Sequence, residues 1–524
     1  MNGAPLGALA AQAARRFAAR LCLVHGARRW NFAEVDAIVG ALARTLRQRL
    51  SPGARVGLFM SNRPEFVFLQ LALERAGIVR VPVNARATAH EVGIILEDCS
   101  TSALFFDATT CEAAAAVARH PGLAPIWFCQ VDADVASNGS SWARLVSAPG
   151  APAPDASPDA HVVGADDVCS INYTSGTSGK PKGVVLTHRN WAAMYRNMLV
   201  DRDMRPDDVF VHVGPLTHSS GAYFLAWFLR GACNVLVDGS GVDAMLQTMA
   251  RERATVFTCV PTVLTRIVNH PDIGRFDLGS IRAIGYGAEP IPFNTLEKTI
   301  ARFGPIVTQN YGQTEAMMTV TLLRPDEHFT AAHTLRVGCI GRPYSFVEVV
   351  LRAPDGTEVG PGEVGEITIR SEHMMERYWE RPAETAKVLR DGWLWSGDLA
   401  TRDADGYITL AGRSKEMLIS GGFNIYPAEV EALLTSHSSV LEAAVIGAPD
   451  ASWGEIAIAY ISAVPGSALD AETLRAHCKP ILGFRTPKVF HIVDQLPKNA
   501  NGKIDKPALK ASQARAREEV AGRG

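Results

Sequence analysis

Residues 171–190 read INYTSGTSGKPKGVVLTHRN, a run dense in glycine, hydroxyl and lysine side chains. Free backbone N–H groups, hydroxyls and ammonium groups gathered this closely suit an oligophosphate. The stretch is not a kinase-type phosphate loop, which needs glycine, four residues, then glycine, lysine and a hydroxyl. Here Gly176 and Gly179 are separated by only two residues, and Lys180 is followed by Pro181. A flexible surface loop is the competing reading, but it leaves two lysines flanking a proline unexplained. Elsewhere Glu315, Asp398, Arg413 and Lys503 stand in short turns. Taken singly, each reads as a strand end, a turn residue or a solvated charge.

The elements that must hold these residues are α/β in pattern. Residues 55–60 (RVGLFM) and 79–83 (VRVPV) read as buried strands, with 63–77 as the crossover helix ending at Gly77. Further strand runs end in glycine or proline turns, where open α/β sheets place ligands. Residues 131–166, rich in proline, alanine and aspartate, read as a surface loop. Beyond about 335 short alternating strands predict a small β-subdomain, and the last 110 or so residues a small α+β domain. The fold class is therefore a large N-terminal domain of mostly parallel sheets packed by helices, with a small C-terminal domain.

Composition narrows the function classes. The 52 basic and 54 acidic residues nearly cancel, so nucleic acid is not an expected partner. The nine cysteines show no metal-ligand spacing and read as core thiols in a reducing, cytoplasmic setting. At the N-terminus Arg15, Arg16 and Arg20 break the apolar run, and Leu6, Leu9, Ala13, Phe17 and Leu21 recur at helical spacing. An amphipathic surface helix is expected there. The apolar run 221–229 is about half the length of a membrane span.

Taken together, the motifs carry a resemblance. YTSGTSGKPKGVVLTH, GYGAEP (285–290), QNYGQTE (309–315), WSGDLA (395–400), GRSKEMLISGGFNIYPAEVE (412–431), APDASWGE (448–455) and LPKNANGKIDK (496–506) occur in order. The chain resembles the AMP-forming acyl- and aryl-CoA synthetases of the adenylate-forming superfamily over residues 5–510. That resemblance implies a carboxylate attacking the α-phosphate of Mg-ATP, then a thiol displacing AMP. The first step needs cationic and N–H stabilisation more than covalent help.

The resemblance also implies roles. Thr174, Ser175, Gly176, Thr177, Ser178, Gly179 and Lys180 hold the β- and γ-phosphates. Gly287, Ala288, Glu289, Asn310, Tyr311, Gly312 and Gln313 form the adenine side, with Tyr311 stacking on the base. Thr314 bonds the α-phosphate, and Glu315 suits Mg²⁺. Asp398 and Arg413 hold the ribose. Lys503 bridges carboxylate and α-phosphate, and Lys415 is the hinge between domains 1–414 and 415–524. Rotation there brings Ser420, Gly421, Gly422 and Phe423 to the path of the CoA arm.

The acyl group is expected among His218, Ser219, Ser220, Gly285, Tyr286, Met317 and Met318. No acid lies between Thr217 and Leu229, which speaks against an amino-acid substrate. No Arg or Lys lies in segments 214–224, 285–289 or 312–319, so a dicarboxylate lacks an evident partner. An alkyl or aromatic monocarboxylic acid is the remaining class. Gln313, Ser396, Phe423 and the GKIDK ending depart from the commonest family pattern, and the ending leaves a carrier-protein phosphopantetheine as the rival thiol. ATP, Mg²⁺ and coenzyme A are the implied co-substrates and metal, and the resemblance admits a homodimer. A non-catalytic nucleotide-binding regulator is disfavoured by the presence of Glu315, Asp398, Arg413 and Lys503.

Overall fold

Apolar runs punctuated by glycine and proline become the strands that carry the site. The computed structural model describes residues 3–120, 122–123, 126–132, 142–146, 162–174, 181–336, 338–420, 423–450, 452–499 and 503–521. Ser175, Gly176, Thr177, Ser178, Gly179, Lys180, Gly421 and Gly422 lie outside the described residues, as does most of the 131–166 segment.

Three sheets organise the chain. In the largest, neighbouring strands run parallel from Leu21–His25 through Cys233–Leu236, Val209–His212, Val256–Cys259 and Ala283–Gly287 to Val307–Gln313. Beyond that point the same sheet turns antiparallel, through Ala316–Leu323, Cys339–Pro343, Ile408–Arg413 and Trp393–Arg402 to Gly365–Arg370 and Glu348–Arg352. The expected β-subdomain is thus a continuation of the large sheet.

The seven-stranded second sheet holds the two predicted strands, as Arg55–Phe59 and Val79–Pro82. The helix between them, Pro64–Ala76, starts on a proline and stops at Gly77 with φ 71°, a left-handed stop that glycine adopts without a steric penalty. The N-terminal helix Leu6–Arg16 buries Leu6, Leu9, Ala10, Ala13 and Ala14. Its amphipathic stripe ends before Leu21, which starts a strand and is 42% exposed. Within the 131–166 segment, Trp142–Val146 is a helical turn rather than loop, with Leu145 buried and its carbonyl taking a 3.0 Å bond from Thr45.

The third sheet, spanning strands from Leu418–Ser420 to Val489–Val493, is separate. It has its own cores, one under helices Pro427–Thr435 and Ala471–Leu482. All nine cysteines are free thiols, seven of them buried. No helix among the described residues is long and apolar enough to cross a membrane.

Candidate active site

The centre of the site is a hairpin. Val307–Gln313 and Ala316–Leu323 close through the pair Gln313 and Ala316, which leaves Thr314 and Glu315 as a two-residue turn. Gly312 makes the closure possible, because a Cβ there would lie 2.4 Å from the Met318 backbone nitrogen. Met318 takes φ 56°, a conformation costing a non-glycine residue about 1–3 kcal/mol. The next parallel strand ends in a second close approach: a Cβ on Gly287 would meet the Asn310 carbonyl oxygen at 2.2 Å. Ala288 then turns the chain at φ 72°. These bare strand ends form the floor on which the expected adenine side lies.

Glu315 accepts a 2.7 Å bond from the Tyr378 hydroxyl through Oε1. Sequence reasoning missed Tyr378, since its partner is distant in the chain. Tyr378 lies on the short strand Arg377–Tyr378, which pairs with Lys182–Thr187. That strand returns from the glycine-rich stretch and pairs with Val168–Thr174, Thr174 facing Lys182. Lys182 is ion-paired with Glu384 and stands 5.0 Å over the Tyr378 ring. The pairing strand therefore ties the phosphate-loop hairpin to Glu315.

Asp398 and Arg413 face each other on neighbouring antiparallel strands, with Arg413 Nε 3.0 Å from Asp398 Oδ1. The Tyr311 hydroxyl donates to Asp398 Oδ2 at 2.6 Å. Gly397, at φ 74°, donates its N–H to Glu366 at 2.8 Å and aims Asp398 inward. Burial pushes the Asp398 carboxyl above the ordinary aspartate range, opposed by Arg413 and the Tyr311 bond.

Lys503 reaches this group from the C-terminal part of the chain. Its N–H donates to Asn499 Oδ1 at 3.1 Å, and its carbonyl accepts from the Asn499 N–H at 2.8 Å. Burial holds the ammonium below the usual lysine range, Arg413 adds to this, and Glu289 and Asp398 oppose it. Glu289 also accepts from the Thr262 N–H at 3.0 Å and the Thr262 hydroxyl at 2.6 Å, at the start of helix Pro261–Val268. Asn294 on the N-terminal side donates to the His437 carbonyl at 3.1 Å, so the two parts are docked with Lys503 turned towards Asp398. Lys415 lies in an exposed turn after Arg413, and Ser420 is buried beside it in the third sheet.

The expected acyl residues do not all converge. His218 sits at the start of helix Ser219–Arg230, open to solvent yet surrounded by protein, and desolvation followed by the Lys503 charge lowers its pKa. Ser219 is exposed beside it. Ser220 is buried, its hydroxyl 2.9 Å from His212 Nδ1. Tyr286 departs from expectation. Strand alternation turns it to the other face of the sheet, where its hydroxyl meets Gln309 at 3.2 Å and His328 at 3.0 Å. Gly285, one residue before, faces the expected pocket side with Thr258. Met317 is in the main core and Met318 packs against it.

Several buried donors near these residues have no partner: Asn310 Nδ2, Gln313 Nε2, Thr217 Oγ1 and Thr258 Oγ1. Unmet buried donors are costly, and here they line the expected ligand space. Asn310 Oδ1 is taken by the Tyr344 hydroxyl at 2.6 Å.

The AMP-binding enzyme family model matches residues 10–379, and the AMP-binding enzyme C-terminal domain matches 429–503. The chain belongs to the AMP-binding enzyme family, within it to the AMP-forming acid–CoA ligases that use ATP and coenzyme A. It is 36% identical over 511 residues to a feruloyl-CoA synthase of Amycolatopsis sp, covering 96% of this chain and 98% of that protein. It is 32% identical over 462 residues to a fatty acid–[acyl-carrier-protein] ligase of Streptomyces coeruleorubidus, covering 87% and 86%. Among solved structures, the anthranilate CoA ligase AuaEII with anthranoyl-AMP superposes with a TM-score of 0.89, at 25% identity over 99% of both chains.

Proposed function

We propose that the chain activates an alkyl or aromatic monocarboxylic acid with Mg-ATP and passes the acyl group from acyl-AMP to coenzyme A. The observation that carries this reading is the Asp398–Arg413 pair, held by the Tyr311 hydroxyl, with Lys503 near enough for both charges to act on its ammonium. In the first half-reaction a carboxylate oxygen attacks the α-phosphorus, and the bond to pyrophosphate breaks. Lys503 offers a cation to the two anions that must meet, and Thr314 an O–H to the α-phosphate. Asp398 accepts from the ribose hydroxyls while Arg413 and Tyr311 hold it in place. In the second, the thiol sulfur attacks the acyl carbonyl and AMP leaves.

A magnesium ion fits the donor set. Among the described residues no group of three or more His, Cys, Asp or Glu could hold a metal. Magnesium keeps waters and binds through one or two carboxylates plus phosphates, and Glu315 supplies such a carboxylate. Bound there, the ion would neutralise charge on the phosphates. Lys415 is proposed as the pivot between residues 1–414 and 415–524, with residues 420–423 lining the thiol path after rotation. The free thiols support a reducing, cytoplasmic location.

Pyrophosphate exchange into ATP, measured across a panel of aliphatic and aromatic acids, tests the reading. Exchange with at least one acid is expected, and none with any acid would refute it. Similarity to a carrier-protein ligase favours one second reading, transfer to phosphopantetheine in trans. Adding coenzyme A or a loaded carrier protein to preformed acyl-AMP decides between the two thiols.

A further inference from the structure

We propose that the acid carries an oxygen acceptor at the end remote from its reacting carboxylate, and that Arg202 and Thr258 recognise it. This rests on the ligase reading above and narrows its substrate class.

Arg202 follows helix His188–Asp201, and its N–H closes that helix on the Met198 carbonyl at 3.1 Å. Its side chain does not serve the helix end. It runs inward, with the guanidinium 5.2 Å from the centre of the Tyr223 ring. Its Nη2 lies 3.2 Å from where a Cβ on Gly285 would stand, and Thr258 Oγ1 lies 2.5 Å from that same point. A side chain at residue 285 would collide with both groups, so glycine there is what keeps them clear.

The polar bookkeeping around Arg202 is incomplete. Other inward arginines meet acids: Arg80 bonds Gln70 at 2.9 Å beside Glu74 at 3.8 Å, and Arg282 pairs with Asp203 at 2.9 Å and with Asp208. Among the described residues no carboxylate pairs with Arg202. The adjacent Asp201 is turned to Ser345, at 2.9 Å from its N–H, and to Arg324 at 3.5 Å. The polar neighbours of the guanidinium are the phenols of Tyr223 and Tyr344, and the Tyr344 hydroxyl already donates to Asn310. Thr258 Oγ1 is buried with no partner at all.

A guanidinium presents five donors in a planar fork; the Tyr223 phenol takes a hydrogen bond from it, and two phenols cannot meet all five. A carbonyl or phenol oxygen entering between Arg202 and Thr258 would offer an acceptor to both. The position suits a substrate's far end. Gly285 is two residues, about 7 Å of strand, before the Gly287–Ala288 turn on the nucleotide side. That is room for an aromatic ring or a short alkyl linker.

Exchange rates for matched acids test this: hexanoate against a ketohexanoate, and phenylpropanoate against its para-hydroxy derivative. The unmodified enzyme should favour at least one oxygen-bearing member roughly tenfold or more in kcat/KM. Arg202→Met should lower that member roughly 10- to 100-fold, mainly through KM, leave its hydrocarbon partner and the KM for ATP unchanged, and Arg202→Lys should restore part of the loss. Equal use of both members of every pair by the unmodified enzyme would overturn the inference while leaving the ligase reading intact. So would an equal fall for both members in Arg202→Met, which marks a structural role. Should that variant not fold, Thr258→Val gives the same contrast, and the unmodified enzyme's preference decides alone. No exchange with any acid would sink the ligase reading and this inference together.

Discussion

On the nucleotide side, Asp398 is already held by Arg413 at 3.0 Å and by the Tyr311 hydroxyl at 2.6 Å, and Glu315 by Tyr378 at 2.7 Å. On the expected acyl side, Thr217 Oγ1 and Thr258 Oγ1 are buried without partners, and Arg202 meets no carboxylate among the described residues; Asn310 Nδ2 and Gln313 Nε2, on the expected adenine side, are the donors there that still await one. The nucleotide groups are pre-positioned by protein contacts, so binding spends little on ordering them. The acyl groups await a partner that the acid must bring. A site divided this way has a fixed half for the invariant substrate and an incomplete half that discriminates among acids.

The largest way to break the contrast is Lys503→Ala, which removes the ammonium proposed to bridge the carboxylate and the α-phosphate. Acyl-AMP formation should fall by about 10²-fold or more, while thioester formation from supplied acyl-AMP persists; loss of both half-reactions would contradict the role. Asp398→Ala comes next. It frees Arg413 and the Tyr311 hydroxyl at once, and the KM for ATP should rise roughly 10- to 100-fold with the preference among acids unchanged. A shift in acid preference would show that the two halves are not separate.

Tyr378→Phe removes a single bond to Glu315. Activity should drop about tenfold or less, with recovery as magnesium is raised; indifference to magnesium would detach Glu315 from the metal. The smallest effect concerns the scaffold. Burial lowers His188 and His212 to about 4, against about 6.5 in an unfolded chain. Both are neutral in the fold, so the unfolded state binds more protons below 6.5. Stability should be full above that pH and decline as pH falls from 6.5 to 4, read as the urea midpoint.

The elements that carry the expected nucleotide residues were legible because those residues lie in short, ordered motifs. Asp398 follows a glycine, Arg413 ends a strand, and Thr314–Glu315 close a hairpin. Pairwise supports were not legible. Tyr378 finds Glu315 only because its strand pairs with Lys182–Thr187, and no local spacing encodes that. Tyr286 was misplaced for a simpler reason: a strand alternates faces, and its neighbour Gly285 holds the pocket side. The absence of a basic residue in the three acyl segments is a correct count, but it speaks for those segments alone. Arg202 arrives from a helix end outside all three.

The large sheet runs without interruption from Val307–Gln313 through Ala316–Leu323, Cys339–Pro343 and Ile408–Arg413 to Trp393–Arg402. Tyr311, Arg413 and Asp398 therefore belong to one ladder of backbone hydrogen bonds, and Lys503 belongs to none of it. In kinetic terms, the swing proposed about Lys415 changes what surrounds AMP without loosening what grips its ribose. The ladder would then hold AMP through both half-reactions, and any change in its release across the swing would come from the Lys503 side of the site.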